Sequence, residues 1–431
     1  MRRGPLIIVA ACALLATGIV APAGADESAY EIWVIDQSDT TADGGGTLYI
    51  YDGDAVNGRD AASAVPETID LGGAARSLCL AQTGTAPRRP HMVMFDMEHT
   101  HAVLAWVATG HVLFMDAATR VPLACIDVGV AAHAAFPSPD GTYVVVANLA
   151  GKLLQRIDTD YATDTFTLDG AATLDLATCT TPSGAACQDA ALRPDNAPIC
   201  PVITPDSQHT FVTLRGGGLF IVDSTATPMA IVAEYDQATV HPSGCGGVET
   251  AGKMYINSGG GWPANPLEHD LYRFDLSAIG ASNPPNTPAP TLVYSHDARG
   301  FVDSHGAVLT KRDGFLWVAD RAANRVIFVD TDADMVRGEV DLVGALSADP
   351  APDLMDIAPS GNRVFLTLRG PNPLTGNVAG VNNAVGSTPG LGIMRVEAAG
   401  ARGVLQAVIP ISHMVDGVER ADPHALAVRH K

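Results

Sequence analysis

Short apolar segments alternate with turns of Gly, Pro, Asp and Asn along almost the whole chain. Two stretches, residues 88–116 and 130–158, align without a gap, and each reads as three short strands separated by two turns and ending in Asp. An internal repeat of this kind is typical of radial or stacked architectures. The pattern therefore predicts an all-β protein with almost no helix.

Seven units of this kind can be counted, and they predict a seven-bladed β-propeller. The N-terminal unit, around EIWVIDQ, TLYIYDG and ETIDLGG, has three strands and lacks a first one. The tail DPHALAVRHK, residues 422–431, is a first strand with no partners after it. We expect the tail to complete the N-terminal unit, because closing the ring removes the exposed strand edges that an open array would present.

The first residues have the pattern of a secretory signal peptide. Arg2 and Arg3 precede an apolar run, which ends in Ala23-Gly24-Ala25. We expect cleavage after residue 25 and a single propeller domain over 26–431, exported to the periplasm without membrane insertion. That part has 24 basic and 47 acidic residues, a net charge near −23. Such a charge excludes nucleic acid as a partner and attracts cations or basic proteins.

Six cysteines remain after the signal segment, and an even number in an exported chain favours disulfides. Cys179 and Cys187 flank a short loop and are expected to pair. Cys200 and Cys245 are candidates for each other, because both fall on first strands of neighbouring repeats. The sequence leaves the remaining pairing open.

Histidines recur on the first strands, which should line the central channel. Their shared position falls on Cys245 in the fifth unit, Ile199 in the fourth and Asp353 in the seventh. Side chains that converge on one axis can share a metal ion. The histidines at or beside this position are His91, His133, His241, His305 and His424.

Two carboxylates extend this candidate metal site. Asp303 precedes His305 by two residues, and Asp422 precedes His424 by two. On a strand this spacing puts both side chains on one face, where a carboxylate can orient an imidazole or bind the metal itself.

A separate candidate metal clip lies at a turn, where His99 and His101 form an H-x-H pair. Other histidines have no comparable context and are expected at the surface; they are His209, His269, His296 and His430. A single channel histidine can equally be a structural residue bonded to backbone, but the convergence of several favours metal binding.

Zinc is the favoured metal, because it binds mixed imidazole and carboxylate ligands at neutral pH. Copper is the alternative, since Met92, Met94 and Met97 lie near His91. As strand residues, these methionines are also expected in the core.

No G-x-S-x-G elbow, H-E-x-x-H helix, phosphate-binding loop or C-x-x-C-H haem site is present in the sequence. We expect a protein that binds a metal and hands it on, and that is not an enzyme. Two other functions stay open: an exported oxidoreductase with copper or another redox cofactor in the channel, and a metal-free interaction propeller.

The repeats YVVVAN and LWVAD resemble those of YVTN-type propellers. More narrowly, HMVMFDMEHTHAVLAWVATGHVLFMDAATR, AHAAFPSPDG, PDNAPICP, RGGGLF and VHPSGCGG resemble exported zinc metallochaperones of the AztD type. The resemblance implies that histidines of these segments bind zinc and that zinc passes to the solute-binding protein of a zinc ABC importer. The histidine-rich N-terminal stretch associated with such chaperones is missing here, since ADESAYEIW has no histidine.

Overall fold

The computed structural model describes residues 29–41, 43–58, 60–260, 269–279, 284–296, 302–310, 313–378 and 382–431. These residues form seven four-stranded antiparallel sheets arranged as a ring, together with one small hairpin. The seven-bladed β-propeller predicted from the repeats is thus confirmed. The predicted signal peptide and its cleavage site lie outside the described residues.

The first blade takes three strands from the N-terminal region: β1 (Tyr30–Thr41), β2 (Gly44–Asp52) and β3 (Glu67–Asp70). The second, third and fourth blades follow in chain order: β4 (Pro90–Phe95), β5 (His101–Trp106), β6 (His111–Asp116), β7 (Pro122–Asp127); β8 (Ala132–Pro137), β9 (Tyr143–Asn148), β10 (Leu153–Asp160), β11 (Thr165–Asp175); β12 (Pro198–Ile203), β13 (His209–Leu214), β14 (Leu219–Asp223), β15 (Ala230–Tyr235).

The fifth, sixth and seventh blades have the same order: β16 (Gly247–Thr250), β17 (Lys253–Asn257), β18 (His269–Asp275), β19 (Thr291–His296); β20 (Ser304–Leu309), β21 (Phe315–Asp320), β22 (Arg325–Asp330), β23 (Met335–Asp341); β24 (Pro352–Ile357), β25 (Arg363–Leu368), β26 (Gly390–Glu397), β27 (Arg402–Pro410). A short hairpin then precedes the last strand; its strands are β28 (Met414–Val415), β29 (Val418–Glu419) and β30 (Pro423–His430).

The C-terminal strand closes the ring. β30 pairs antiparallel with β1, and Trp33 lies opposite Ala427 in this ladder. Beyond the ladder, the Lys431 backbone amide donates to the Ala29 carbonyl at 2.8 Å. The first blade therefore consists of one strand from the C-terminus and three from the N-terminus, as the sequence predicts.

The innermost strands share an irregularity that positions the channel residues. In blades two, three, four, six and seven, the register between the first and second strands shifts near the start of the first strand. Between β1 and β30 a shift lies between Pro423 and Leu426. Such bulges re-aim a side chain at the point of the shift. The second residue of each of these innermost strands lies inside or directly beside the shift.

The core lies between the blades, as stacked apolar layers. Trp33, Trp106 and Phe114 are fully buried in one cluster that joins the first three blades. Burial of such large side chains, each worth roughly 1.5–3 kcal/mol, is the main term that holds neighbouring blades together.

The described residues include two helices, α1 (Gly53–Asn57) and α2 (Ala74–Thr83), and short 3-10 turns at Ala61–Ser63, Leu276–Ala278 and Ala398–Gly400. The repeat pattern does not predict α2. A disulfide between Cys79 and Cys125 ties this helix to β7. The Cys125 backbone amide also donates to Gln82 Oε1 at 2.6 Å.

Three disulfides are present in the described chain. The predicted pairs Cys179–Cys187 and Cys200–Cys245 are both confirmed. Cys79–Cys125 is the pairing that the sequence leaves open. Three bridges indicate an exported protein or another oxidising compartment. No helix in the described ranges is long and apolar enough to cross a membrane.

Candidate metal centre in the channel

The innermost strands bring four histidines and one aspartate together around the channel axis. Each is the second residue of its strand, so the shared bulge positions all of them alike. All are buried, with exposed fractions of 9 % or less. We call this set the channel cluster; it consists of His91, His133, His305, Asp353 and His424.

Three members of the channel cluster form a group suited to one metal ion. The His305 Nε2 atom lies 3.8 Å from Asp353 Oδ1, and the His424 Nε2 atom lies 3.9 Å from Asp353 Oδ2. One ligand atom from each residue lies within 4.8 Å of the others. Ligand atoms about 2.1 Å from a tetrahedral zinc ion lie roughly 3.4 Å apart, so a small closure would complete the site.

The hydrogen bonding of His424 fixes which of its ring nitrogens could bind a cation. Its Nδ1 lies 2.8 Å from the His91 carbonyl oxygen, which can only accept, so Nδ1 carries the proton. Its Nε2 therefore presents a lone pair toward Asp353, also an acceptor when ionised. Both ring nitrogens of His305 are buried and lack hydrogen-bond partners within the described structure. A metal ion would satisfy these nitrogens, because buried polar atoms are costly without a partner.

Burial and charge keep these groups in the forms that bind metal. Burial lowers the pKa of His305 well below its usual value, with Arg321 adding to the effect. Burial also lowers the pKa of His424 to about 3, although Asp353 opposes the shift. Burial alone would raise the pKa of Asp353, but Arg321, His424 and His305 hold it well below its usual range. At neutral pH the imidazoles are neutral and the carboxylate is ionised.

The other two histidines extend the channel cluster. The His91 ring stacks on His424 with centroids 3.8 Å apart. On its other side, His91 Nε2 lies 3.1 Å from His133 Nε2. His133 Nδ1 lies 2.8 Å from the Ile199 carbonyl oxygen, so it carries the proton and leaves Nε2 as an acceptor. Imidazoles from three blades are therefore in continuous contact.

A chain of alternating charges surrounds Asp353. Arg321 donates to Asp303 Oδ2 at 2.6 Å and to both oxygens of Asp353. Arg369 donates to Asp353 Oδ2 and to Asp422 Oδ1, both at 2.6 Å. Asp303 and Asp422, the two aspartates predicted as ligands, are therefore each paired with an arginine. Burial raises the pKa of Asp303 to about 7, against the opposing charge of Arg321.

The channel cluster opens into a cavity of about 520 Å³. Four of the cluster residues line it, together with Arg89, Arg215 and Arg321. Apolar side chains and the loop after β25 complete the wall; they include Val107, Leu149, Val378 and Thr375. A ligand in the cavity could reach the imidazole nitrogens.

The remaining predicted ligands lie elsewhere. His241 Nδ1 is bonded to Asp270, whose Oδ2 also accepts from the Tyr272 hydroxyl at 3.0 Å. His101 Nε2 lies 2.8 Å from Asp164. His99 stacks on His430 with centroids 4.7 Å apart. The structure brings none of these three into the channel cluster.

His269 was expected at the surface, and this expectation is wrong, because its side chain is fully buried. It lies beside Asp320, with His269 Nδ1 3.5 Å from Asp320 Oδ2. The reason is its place at the start of β18, between neighbouring strands.

The repeat register places Asp353 at the same strand position as the histidines, but the predicted ligand set does not include it. The predicted set does not include the two arginines either. Arg321 and Arg369 each directly follow the second strand of their blade, at Asp320 and Leu368. The same position in the fourth blade, directly after β13, carries Arg215. An arginine therefore recurs there in three blades, and this recurrence is the signal that could have identified the two residues.

No protein-family model matches the chain. A search of curated proteins also finds no match at the threshold applied.

Solved structures with the same fold do match. A protein from Lactobacillus plantarum matches with a TM-score of 0.59 and 11% identity, covering 93% of this chain and 99% of that one. The periplasmic gluconolactonase of Pseudomonas aeruginosa gives a TM-score of 0.57 and 13% identity over 93% and 99%. A candidate 6-phosphogluconolactonase from Bacteroides uniformis gives 0.56 and 11% over 93% and 99%. What these proteins share with the chain is the fold. The chain is thus a seven-bladed propeller, and its structural neighbours include proteins named as lactonases.

These neighbours correct the expectation that the chain is not an enzyme. Two of them are named as lactonases, so this fold houses catalysis as well as binding. The lack of familiar motifs in the sequence does not exclude catalysis, because propeller sites are assembled from distant strands and need no local motif.

Proposed function

We propose that this protein binds zinc in its channel through His305, His424 and Asp353 and delivers it to the solute-binding protein of a zinc ABC importer. One observation carries the binding part. Two buried imidazole Nε2 atoms lie 3.8 and 3.9 Å from the two oxygens of one carboxylate, too far for hydrogen bonds and suited to a shared ion.

The ligand set favours exchange over permanent retention. Three protein ligands would leave a zinc ion with an open position, and His305 and His424 both line the cavity from which a further ligand could approach. The charged chain around Asp353 has three carboxylates and two guanidinium groups, so it offers a divalent ion little net attraction. A weakly attractive, accessible site suits a metal that must leave again.

Zinc fits these residues better than copper(I). The soft thioether ligands that copper would need are not in the channel: Met92 is buried in the blade core, and Met94 packs against it. Met97 is 61% exposed at the surface. The imidazole and carboxylate groups that remain are ligands preferred by zinc.

The delivery part and the periplasmic location rest on the resemblance to exported zinc metallochaperones. The three disulfides and the strongly acidic composition support export and an encounter with a basic surface.

Metal content and transfer test this proposal in two steps. Protein purified from a periplasm, with its disulfides intact, should contain close to one zinc per chain, with no visible absorption or paramagnetic signal. Zinc-loaded protein is then mixed with the metal-free solute-binding protein, separated from it, and both are assayed for metal. Transfer should be faster than the release of zinc to an equal concentration of a small chelator. Protein that contains no zinc after purification, and binds none when zinc is added, would overturn the binding part. Transfer at the chelator's rate would overturn delivery alone.

A second candidate function is metal-dependent hydrolysis of a small lactone or ester. The specific observation is that His305 and His424 line a cavity of about 520 Å³ together with Arg89 and Arg215. A zinc ion with three protein ligands can act as a Lewis acid on a carbonyl oxygen. The arginines would bind an anionic group of the substrate, and the apolar wall would exclude water from the remainder.

An assay of lactone hydrolysis, in which the released proton is measured, distinguishes the two functions. A metal-dependent rate that disappears in the His305→Ala variant would support catalysis, whereas rapid transfer without turnover would support delivery.

A further inference from the structure

A second group of candidate ligands lies one blade away from the proposed zinc site. Ligand atoms of His133, Cys200 and Cys245 lie within 4.8 Å of one another, and all three residues are buried. The two sulfurs are joined as a disulfide, so they are not thiolates in this state. The geometry therefore matches a metal site whose ligands are held in an oxidised form.

We propose that reduction of the Cys200–Cys245 disulfide creates a second metal site, in which two thiolates and the His133 imidazole bind Zn²⁺. A dithiol is the required reductant. It transfers two electrons and two protons to the disulfide, which gives two cysteine thiols and a disulfide in the reagent. Binding of the ion then releases both thiol protons to solvent.

Contacts other than the disulfide would keep the two cysteines close together after reduction. The Thr213 hydroxyl oxygen accepts from the Cys200 backbone amide at 3.2 Å, and the hydroxyl donates to the Gly244 carbonyl at 2.6 Å. On the other side of Cys245, the Gly246 amide donates to Asn257 Oδ1 at 2.7 Å. One threonine side chain thus links the backbone of Cys200 to the residue before Cys245.

The tautomer of His133 leaves its Nε2 atom unprotonated and able to bind a metal. Its Nδ1 proton is held by the Ile199 carbonyl at 2.8 Å, next to Cys200 in the chain. Such a bond to the far nitrogen orients a metal-binding imidazole and fixes its tautomer. His133 Nε2 lies 3.1 Å from His91 Nε2, and His91 Nδ1 lies 3.1 Å from Gln37 Oε1, which only accepts. The neutral His91 ring therefore has its proton on Nδ1, and the two facing Nε2 atoms both present lone pairs. Metal binding would give the His133 lone pair a partner.

The site is reachable from the channel. Ile199 and Ser243, which flank the cysteine pair in the chain, line the cavity together with His133. A small dithiol or a metal ion in the cavity would meet this wall. The ligands differ from those of the proposed zinc site, so the two sites can be tested independently of each other.

The test compares the full chain before and after reduction. The protein is treated with dithiothreitol and desalted without oxygen, and zinc is titrated against a chromophoric chelator. We expect reduction to add about one further equivalent of bound zinc, since the site offers three ligands to a single ion. Cobalt(II) in place of zinc should give a near-ultraviolet sulfur-to-cobalt absorption, and bound zinc should protect Cys200 and Cys245 from alkylation.

Two variants control for the other cysteines and for the imidazole. The double variant Cys200→Ser/Cys245→Ser keeps Cys79, Cys125, Cys179 and Cys187 and should gain no zinc on reduction. His133→Gln should keep the thiols but lower the affinity of the additional site by more than about tenfold.

Several results would overturn the inference. These are an unchanged zinc stoichiometry after reduction, an equal gain in the double serine variant, or a cobalt complex without sulfur absorption. Loss of near-ultraviolet circular dichroism on reduction would also overturn it, because the site needs a folded channel wall. If the oxidised chain binds no zinc but the reduced chain binds one through these cysteines, the proposed function fails and this inference stands.

Discussion

His91 and His133 lie with their Nε2 atoms 3.1 Å apart, although they belong to neighbouring blades and are 42 positions apart in the chain. Each is the second residue of an innermost strand, next to a shift in strand register. A repeat seen in the sequence thus becomes a contact in the channel, because the ring brings equivalent positions to one axis. The same relationship places His305, Asp353 and His424 near the axis.

Ring closure should determine the stability of the whole protein. Leu426 on β30 is 5% exposed and packs between the first and seventh blades. We expect Leu426→Ala to lower the free energy of unfolding by about 2–5 kcal/mol, because it leaves a cavity at the closing seam. Urea unfolding, followed by tryptophan fluorescence and circular dichroism, measures this.

Met414→Ala is the matched control for this change. Met414 lies only a few residues earlier in the tail and is 57% exposed, so its loss should change stability by less than about 0.5 kcal/mol. Equal effects of the two substitutions would show that β30 does not close the ring. Removal of residues 421–431 should lower the melting temperature of the entire ring, and an unchanged value would contradict closure.

Glu31 connects the closing blade to its neighbour, and its effect should depend on pH. Its carboxylate accepts hydrogen bonds from Trp33 at 3.0 Å, Arg120 at 2.7 Å and Arg429 at 3.3 Å. Burial favours the neutral form, but Trp33, Arg120 and Lys431 lower the pKa of Glu31 to about 2. Because the folded-state pKa is below the usual 4.5, the stabilisation is present above pH 4.5 and is lost as the pH falls toward 2.

We therefore expect Glu31→Gln to cost on the order of 2 kcal/mol at pH 7 and much less near pH 3. Glu67→Gln is the control, because Glu67 lies 3.3 Å from the same Arg120 but is 51% exposed. Denaturant unfolding at both pH values gives the comparison. A cost for Glu31→Gln that does not change with pH would show that the ionised carboxylate is not the stabilising form.

The three disulfides should be complete in the exported protein. Alkylation under denaturing conditions, followed by intact-mass analysis, should find no free thiol among the six cysteines that form the bridges. Peptide mapping should link Cys79 to Cys125. Replacement of both by alanine should cost about 2–5 kcal/mol, because the bridge closes a loop of 46 positions. Free thiols at Cys79 and Cys125 would contradict this pairing.

The fold could be predicted from the sequence because every blade repeats one hydrophobic pattern and the tail supplies a missing strand. The two confirmed cysteine pairs followed from loop length and repeat position. Helix α2 was missed, because a single insertion between blades has no repeat to reveal it. Its disulfide to β7 was missed for the same reason.

The candidate site could be predicted only in part. Repeat register identified His91, His133, His305 and His424, because their common strand position is visible in the sequence. The spacing of Asp303 and Asp422 from their histidines predicts a shared strand face, yet each aspartate pairs with an arginine that directly follows a second strand. Arg321 pairs with Asp303 inside the sixth blade, whereas Arg369 of the seventh blade pairs with Asp422 beside the closing strand β30. Such pairings depend on how strands are placed in the ring, which a single sequence does not record.

Zinc affinity in a panel of alanine variants tests the central claim most directly. His305→Ala is the sharpest variant, since the His305 ring nitrogens have no hydrogen-bond partners among the described residues and its loss should not disturb folding. We expect His305→Ala and His424→Ala each to lower zinc affinity by more than about 100-fold in competition with a chelator. His241→Ala and the pair His99→Ala/His101→Ala should stay within about threefold of the unaltered protein. If only the His99/His101 pair loses zinc, or if all variants bind equally, the channel does not hold the metal.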